Sequence, residues 1–278
     1  MPFDPALAAA QSLSTPVERL VELSQHRLID IRIEVAKNPS TPPATLQRLS
    51  VDRSARIRLA VAHNPSLDDE LVLALAEDPT PIVPLAAAWN ARGRPAVIPV
   101  LARSLDASIR RIVASLNRSS QLEHDTQQLL AADENREVRE QIAETTQYRD
   151  IFESLMSDPN PRVRGHCGGN PRATRDDIEQ LLADRSGTTR TLTVVLGVKY
   201  PDDDQLVRVA RDRTVNAQWA VVMRVGSPRV AVEIVALEGD DTNRQQAEAV
   251  LAGGGNAPQA IASVLESRAQ ALMVSPFI

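Results

Sequence analysis

An aspartate followed six residues later by an arginine recurs along this chain, as Asp52 and Arg58, Asp133 and Arg139, Asp158 and Arg164, and Asp184 and Arg190. Arg32 and Arg110 occupy the same place in their own segments. An acid and a guanidinium that return together can serve two purposes. They can pair in planar, multidentate fashion with carboxylates or helix ends of their own or the adjacent unit, forming a structural ladder. Alternatively, the guanidiniums can face outward as a row for phosphate or carboxylate partners. The ladder is the preferred reading, so Arg32, Arg58, Arg110, Arg139, Arg164 and Arg190 are candidate ladder or interaction residues. Pro84 interrupts the row.

The other chemically suggestive pair is His166 beside Cys167, set between Gly165 and Gly168-Gly169. A Cys-His dyad can generate a thiolate nucleophile. Neighbours on a helix, however, point about 100° apart and do not face one another. Cys167 falls on an inward position of the repeat, which predicts a small buried side chain. His166 is read as an unusual core or groove-lining group. The glycines suggest a loosened, indented turn, making His166 and Cys167 the candidate small pocket. The same stretch is no phosphate loop, since it lacks a preceding strand and a following Lys-Ser/Thr. Acid pairs such as Asp68-Asp69 and Asp176-Asp177 fall at helix starts, where the dipole accounts for them without metal. No catalytic residue, cofactor or metal ligand is expected.

These residues are positioned by an internal repeat. Ile31-Arg32-Ile33-Glu34-Val35-Ala36-Lys37-Asn38-Pro39 returns as Ile57-Arg58-Leu59-Ala60-Val61-Ala62-His63-Asn64-Pro65, and later as Val163 to Pro171. The first step is about 26 residues, within the range of helical repeat arrays. A companion segment, Thr41-Pro42-Pro43-Ala44-Thr45-Leu46-Gln47-Arg48-Leu49, repeats the pattern of Thr15 onward. Each unit predicts two short helices, each with an apolar stripe at helical spacing. Asp52, Asp78, Asp133, Asp158 and Asp184 are expected N-caps of one helix, and Ser66 with Asp69 a cap and first-turn acid of the other. Asn38, Asn64 and Asn170, each before proline, are expected to end helices in a left-handed cap conformation. Stacked with Asn90, they can also satisfy loop backbone groups between turns. Residues 191–198 are locally β-prone but fall where the repeat requires helix.

The expected fold is therefore all-α: a right-handed superhelical solenoid of about nine two-helix repeats, running over 1–278 as one domain. Its period is about 26 residues. An N-terminal cap and first half-repeat occupy 1–28, well-marked repeats 29–198, and divergent repeats with a C-terminal cap 199–278. Composition agrees, with 43% hydrophobic residues but only 3% aromatic, so Leu, Val, Ile and Ala must fill the interior.

The units resemble the variant leucine-rich repeats of bacteria, a family within the broader armadillo/HEAT-like group. Residues 31–49, 57–76 and 163–182 carry the resemblance through their Val-Arg, Val-Ala, Asn-Pro and Thr/Ser-Pro-Leu elements. It implies a strandless right-handed superhelix of short helices. One branch of that family holds an iron–sulfur cluster on an N-terminal cysteine cluster. Here Cys167 is the single cysteine and lies inside a repeat, so that centre is not carried over.

A curved stack needs no catalytic group to bind, which points to a non-enzymatic protein-binding or assembly scaffold with another protein as partner. The alternative is a nucleic-acid-binding HEAT-like protein of glycosylase-like kind, using the arginine rows. Against it stand a net charge of −5 and few aromatic platforms, with Trp89 and Trp219 expected to be half-buried packing groups. No membrane association is expected from short, lysine-poor helices. The lone cysteine and the absence of a signal-peptide pattern at Met1-Pro2-Phe3-Asp4 suggest a cytoplasmic location. The apolar residues 271–278 are expected to fold over the last turn or to engage a second copy as a homodimer contact, while Phe3, Leu7 and Leu13 can cap the other end.

Overall fold

The computed structural model describes residues 4–120 and 122–252, excluding the side chains of 119 and 120. Phe3, the Gly253-Gly254-Gly255 turn and the apolar 271–278 segment lie outside the described residues. Among the described residues the chain is helical, without a strand. Two compact units divide it, one ending at Ile142 and the other beginning at Ala143.

The first unit opens with α1 (Pro5–Gln11), α2 (Val17–Leu23), α3 (Ile29–Lys37), α4 (Pro43–Leu49) and α5 (Ala55–Ala62). It continues through α6 (Asp69–Leu75), α7 (Ile82–Asn90), the single-turn α8 (Ile98–Leu101), α9 (Ala107–Ser120) and α10 (His124–Ala131). The unit boundary falls within α11 (Arg136–Thr145). The second unit continues with α12 (Arg149–Met156), α13 (Pro161–Cys167), α14 (Arg175–Leu182) and α15 (Gly187–Leu196). It closes with α16 (Asp203–Val209), α17 (Val215–Met223), α18 (Arg229–Glu238) and α19 (Asp241–Ala252).

Within each unit the odd-numbered helices stack one on the next, from α1 to α9 and from α13 to α19, while the even-numbered helices pack against them. This is the packing of an α-solenoid. Most of these helices span only two or three turns and are too short to persist alone in water, so each depends on burying its apolar stripe against its neighbours. Leu20, Ile31, Leu46, Ile57 and Val61 are fully or almost fully buried in this way in the first unit, as are Val163, Ile178 and Val194 in the second. Residues 191–196 are helical, because here the repeat's packing outweighs the local preference of Thr and Val.

Several local expectations are revised. The recurring aspartates lie before the N-cap rather than at it. Ser54, Asn160, Ser186 and Thr214 are the caps, and the acids two residues earlier accept their backbone N–H groups. For the companion helix α6 the cap is Asp68, accepting from the Leu71 amide, rather than Ser66. Asn38 is extended (φ −68°, ψ 120°), not left-handed, because the following Pro39 excludes compact backbone conformations at the residue before it. The glycines of α13 do not loosen it. A Cβ on Gly165 would collide with Leu192 Cβ, and one on Gly168 with the Thr193 backbone, so these positions let α13 and α15 approach closely.

Candidate functional site

The arginine row uses two edges of the guanidinium. In all six cases Nη1 donates backward to the carbonyl six residues earlier: Arg32 to His26, Arg58 to Asp52, Arg110 to Ser104, Arg139 to Asp133, Arg164 to Asp158 and Arg190 to Asp184, at 2.6–2.9 Å. The other edge reaches forward to the carboxylate of the next repeat. Arg58 grips Asp78 with Nε at 2.6 Å and Nη2 at 3.0 Å. Arg110 holds Asp133, Arg164 holds Asp184 and Arg190 holds Asp212 in the same two-point fashion, while Arg32 reaches Asp52 through Nε alone. The acid's second task, accepting the amide two residues on, fixes the carboxylate for the incoming fork.

Spacing within one repeat therefore marks the residues correctly but not the bond. The six-residue interval joins an arginine to its own loop carbonyl, whereas its carboxylate belongs to the following repeat. Asp78 and Asp212 thereby join the row, although neither is followed by an arginine at that interval; Pro84 and Gln218 stand there instead. The pairs are tucked in, with side-chain exposures of 9% for Arg164 and 14% for Asp184. Donors engaged in this way are poorly placed to meet phosphate, which counts against nucleic-acid binding by these rows.

The electrostatics follow from the geometry. The Arg58 hydrogen bond holds Asp78 below the ordinary carboxylate range despite its burial. For Asp184 burial pulls upward most strongly, yet Arg164 and the Ser186 amide together keep the net shift downward. The strongest depression of a carboxylate lies outside the row. Asp177, the acid of a capping box with Thr174, accepts two 2.7 Å bonds from Arg149 and is drawn down to about 2. A carboxylate whose folded-state value is depressed contributes stability above its unfolded value, about 4, and loses it as pH falls through the folded value. Thermal midpoints should therefore stay level from pH 7 to about 5 and fall steeply between about pH 4 and pH 2. Asp177→Asn should flatten that fall; an unchanged slope would show that Asp177 is not a main contributor to acid sensitivity.

The asparagines form a second row. The Nδ2 of Asn64 donates to Ala36 O and Asn38 O, and that of Asn90 donates to Ala62 O and Asn64 O. Asn38 and Asn170 each donate to two carbonyls of the preceding turn in the same manner. At the divergent end this task passes to Arg224, whose Nη1 donates to Val194 O and Gly197 O, a substitution the sequence pattern did not reveal.

The His166–Cys167 candidate does not form a dyad. Cys167 is fully buried, its Sγ 3.7 Å from Val163 O, and burial pushes its thiol well above the ordinary range. His166 is half-buried, with Nδ1 2.5 Å from Glu144 Oε1. The two side chains serve different neighbours. Nucleophilic chemistry by a Cys167 thiolate has no support in this arrangement.

A large cleft opens instead where the arginine row breaks. It has a volume of about 760 Å³ and lies where α6, α7, α8 and the start of α9 meet, with Pro79, Pro81, Pro84, Pro99, Val100 and Leu105 among its walls. Pro84 removes the guanidinium that fills this place elsewhere, and Ser104 replaces the aspartate that would have received it. The same double replacement occurs at the start of the row, where Ala6 precedes His26. Acid and arginine are thus lost together, leaving no buried carboxylate without a fork. Val100 is 53% exposed and Leu105 fully exposed. Trp89, expected to be half-buried, is 54% exposed on α7, whereas Trp219 packs against the core of the second unit.

Residues 55–80 match the family model described as leucine rich repeat variant. That stretch contains Arg58, Asn64 and Asp78, members of both rows. Among solved structures, the chain is similar to the X-ray structure of Escherichia coli YibA, with 15% identity, a TM-score of 0.39, and coverage of 90% of this chain and 92% of that one. No curated protein matches it.

Proposed function

We propose that the chain is a non-catalytic, protein-binding repeat scaffold, and that the cleft at the break in the arginine row is its principal contact surface. The supporting observation is the cleft itself: an apolar recess with Val100 and Leu105 exposed on its walls. Apolar groups gathered in a recess and bordered by charge are the usual form of a protein contact. The repeat rows supply rigidity, since their polar groups are engaged in holding successive turns together.

Capture with the tagged chain from native extract, with and without nuclease, tests this reading. A protein retained at stoichiometric yield after nuclease treatment, and lost from Leu105→Asp, is the expected result. Nucleic acid in the captured fraction, or partners released by nuclease, would replace the scaffold with the nucleic-acid reading.

A further inference from the structure

The break in the row leaves backbone acceptors that the intact repeats satisfy. Each arginine of the row donates to the carbonyl six residues before it, and several also reach the one five residues before, as Arg164 does to Asp158 O and Pro159 O. At the break the corresponding carbonyls are those of Asp78 and Pro79. Both residues line the cleft, and neither carbonyl accepts a hydrogen bond among the described residues. Proline at 84 has no group to offer them.

The charge around the cleft has a matching sign. Asp78 is neutralised by Arg58. Glu77 and Asp106 also line the cleft and have no ion-pair partner among the described residues. Asp106 directly precedes α9, as Asn160 precedes α13, and makes the same capping contact: its Oδ1 accepts the Ser108 amide at 2.7 Å, as Asn160 Oδ1 accepts that of Arg162 at 2.9 Å. Both oxygens of Asp78 receive Arg58, whereas the second oxygen of Asp106 receives no donor among the described residues. Arg103, the one cation on the wall besides the row, donates Nη1 to its own Pro99 O. Two carboxylates and one guanidinium therefore share the wall, and much of the rest is apolar.

We infer that this cleft binds an arginine side chain presented by a partner protein, with apolar residues flanking it. The partner's guanidinium takes the place of the chain's own: one edge donates to the Asp78 and Pro79 carbonyls and the other to Asp106, while its apolar neighbours cover Val100 and Leu105. Planar donors at fixed spacing suit this set of acceptors better than the point charge of an ammonium. The inference rests on the scaffold reading and names the partner's chemistry.

Calorimetric titration of the full chain with the probe peptide acetyl-Ala-Leu-Arg-Leu-Ala-amide tests it. The arginine peptide should bind, and its citrulline counterpart, equal in shape but uncharged, should bind at least roughly tenfold more weakly. Asp106→Asn, a change at an exposed side chain, should weaken the arginine peptide by about tenfold. Pro84→Arg with Ser104→Asp rebuilds the internal pair and should abolish binding. Equal binding of the citrulline peptide, unaltered binding by Asp106→Asn or by the double variant, or no heat at millimolar peptide would each overturn the assignment. Free arginine amide binding as tightly as the peptide would overturn the claim of a protein partner. If the captured protein binds the double variant undiminished, the arginine assignment fails while the scaffold stands. If the peptide binds but captured material is nucleic acid, the scaffold reading fails instead.

Discussion

Arg164→Met should destabilise the second unit by about 3–5 kcal/mol, the range for breaking one side of a buried, hydrogen-bonded ion pair. Arg164 is 7% exposed and makes four bonds: two to Asp184, at 2.7 and 2.9 Å, and two to the carbonyls of Asp158 and Pro159, at 2.7 and 3.3 Å. Methionine fills much of the same volume, so the loss reports polar groups left behind rather than a cavity. Asp184 would retain the Ser186 amide but lose its only neutralising fork. Arg164→Lys should recover part of the loss, since an ammonium cannot serve the forward carboxylate and the backward carbonyls together. The double change Arg164→Met/Asp184→Leu should recover more, because replacing a whole buried pair with apolar groups is often close to neutral. Urea unfolding followed by Trp219 fluorescence, in a Trp89→Phe background, reads the second unit alone. A loss below about 1 kcal/mol would place the pair among weak surface ion pairs and remove the ladder as a source of stability.

The contrast between rows shows which features one repeat period can reveal. Asn38, Asn64, Asn90 and Asn170 are legible from sequence because an identical residue at a constant step must occupy an identical environment. Asn followed by proline further marks the edge of a turn. The helical state of residues 191–196 is legible for the same reason. What escapes is any bond whose partner is set by the next repeat. Asp78 stands before Pro84, so by its own repeat it lacks an arginine, yet Arg58 of the preceding repeat holds it firmly. Gly165 and Gly168 read locally as loosening; their effect depends on Leu192 and Thr193, one repeat further on in α15, which close onto them.

Departures from the repeat carry the opposite lesson. Pro84 is a defect when the row is viewed as a ladder to be completed, and so the sequence draws attention to His166 and Cys167 instead. Its significance emerges only beside Ser104, which withdraws the matching acid, and beside the shortened α8, which leaves space. Trp89 belongs to the same region. It aligns with Lys37 and His63, both exposed, and the aromatic type alone suggested burial. An alignment position's exposure is a better guide here than residue hydrophobicity, because a solenoid gives each position the same environment in every turn.

That uniformity makes the asparagine row the more severe test of how turns are joined. Asn64 is wholly buried; Nδ2 donates to Ala36 O at 2.7 Å and to Asn38 O at 2.9 Å, and Oδ1 accepts from the Ser66 amide at 2.8 Å. Asn64→Ala removes three bonds and leaves two carbonyls and an amide without partners. At about 1–3 kcal/mol per stranded group, reduced by relaxation, an overall loss of about 3–4 kcal/mol is expected. Asn64→Asp separates geometry from polarity. It keeps the shape and the Ser66 contact, but sets a carboxylate oxygen against two carbonyls in place of an amide donor. It should therefore cost at least as much as alanine at neutral pH, although it is the smaller change in volume. Both variants are measurable by urea unfolding with Trp89 as the reporter in a Trp219→Phe background. Asn64→Asp unfolding at the wild-type midpoint would mean that the two carbonyls find other donors. The link between successive turns would then rest on apolar packing alone. If instead aspartate falls at or below alanine, the row is held by donated hydrogens. Each asparagine's own carbonyl would then matter as much as its side chain, since Asn38 O receives Asn64 and Asn64 O receives Asn90 in unbroken succession.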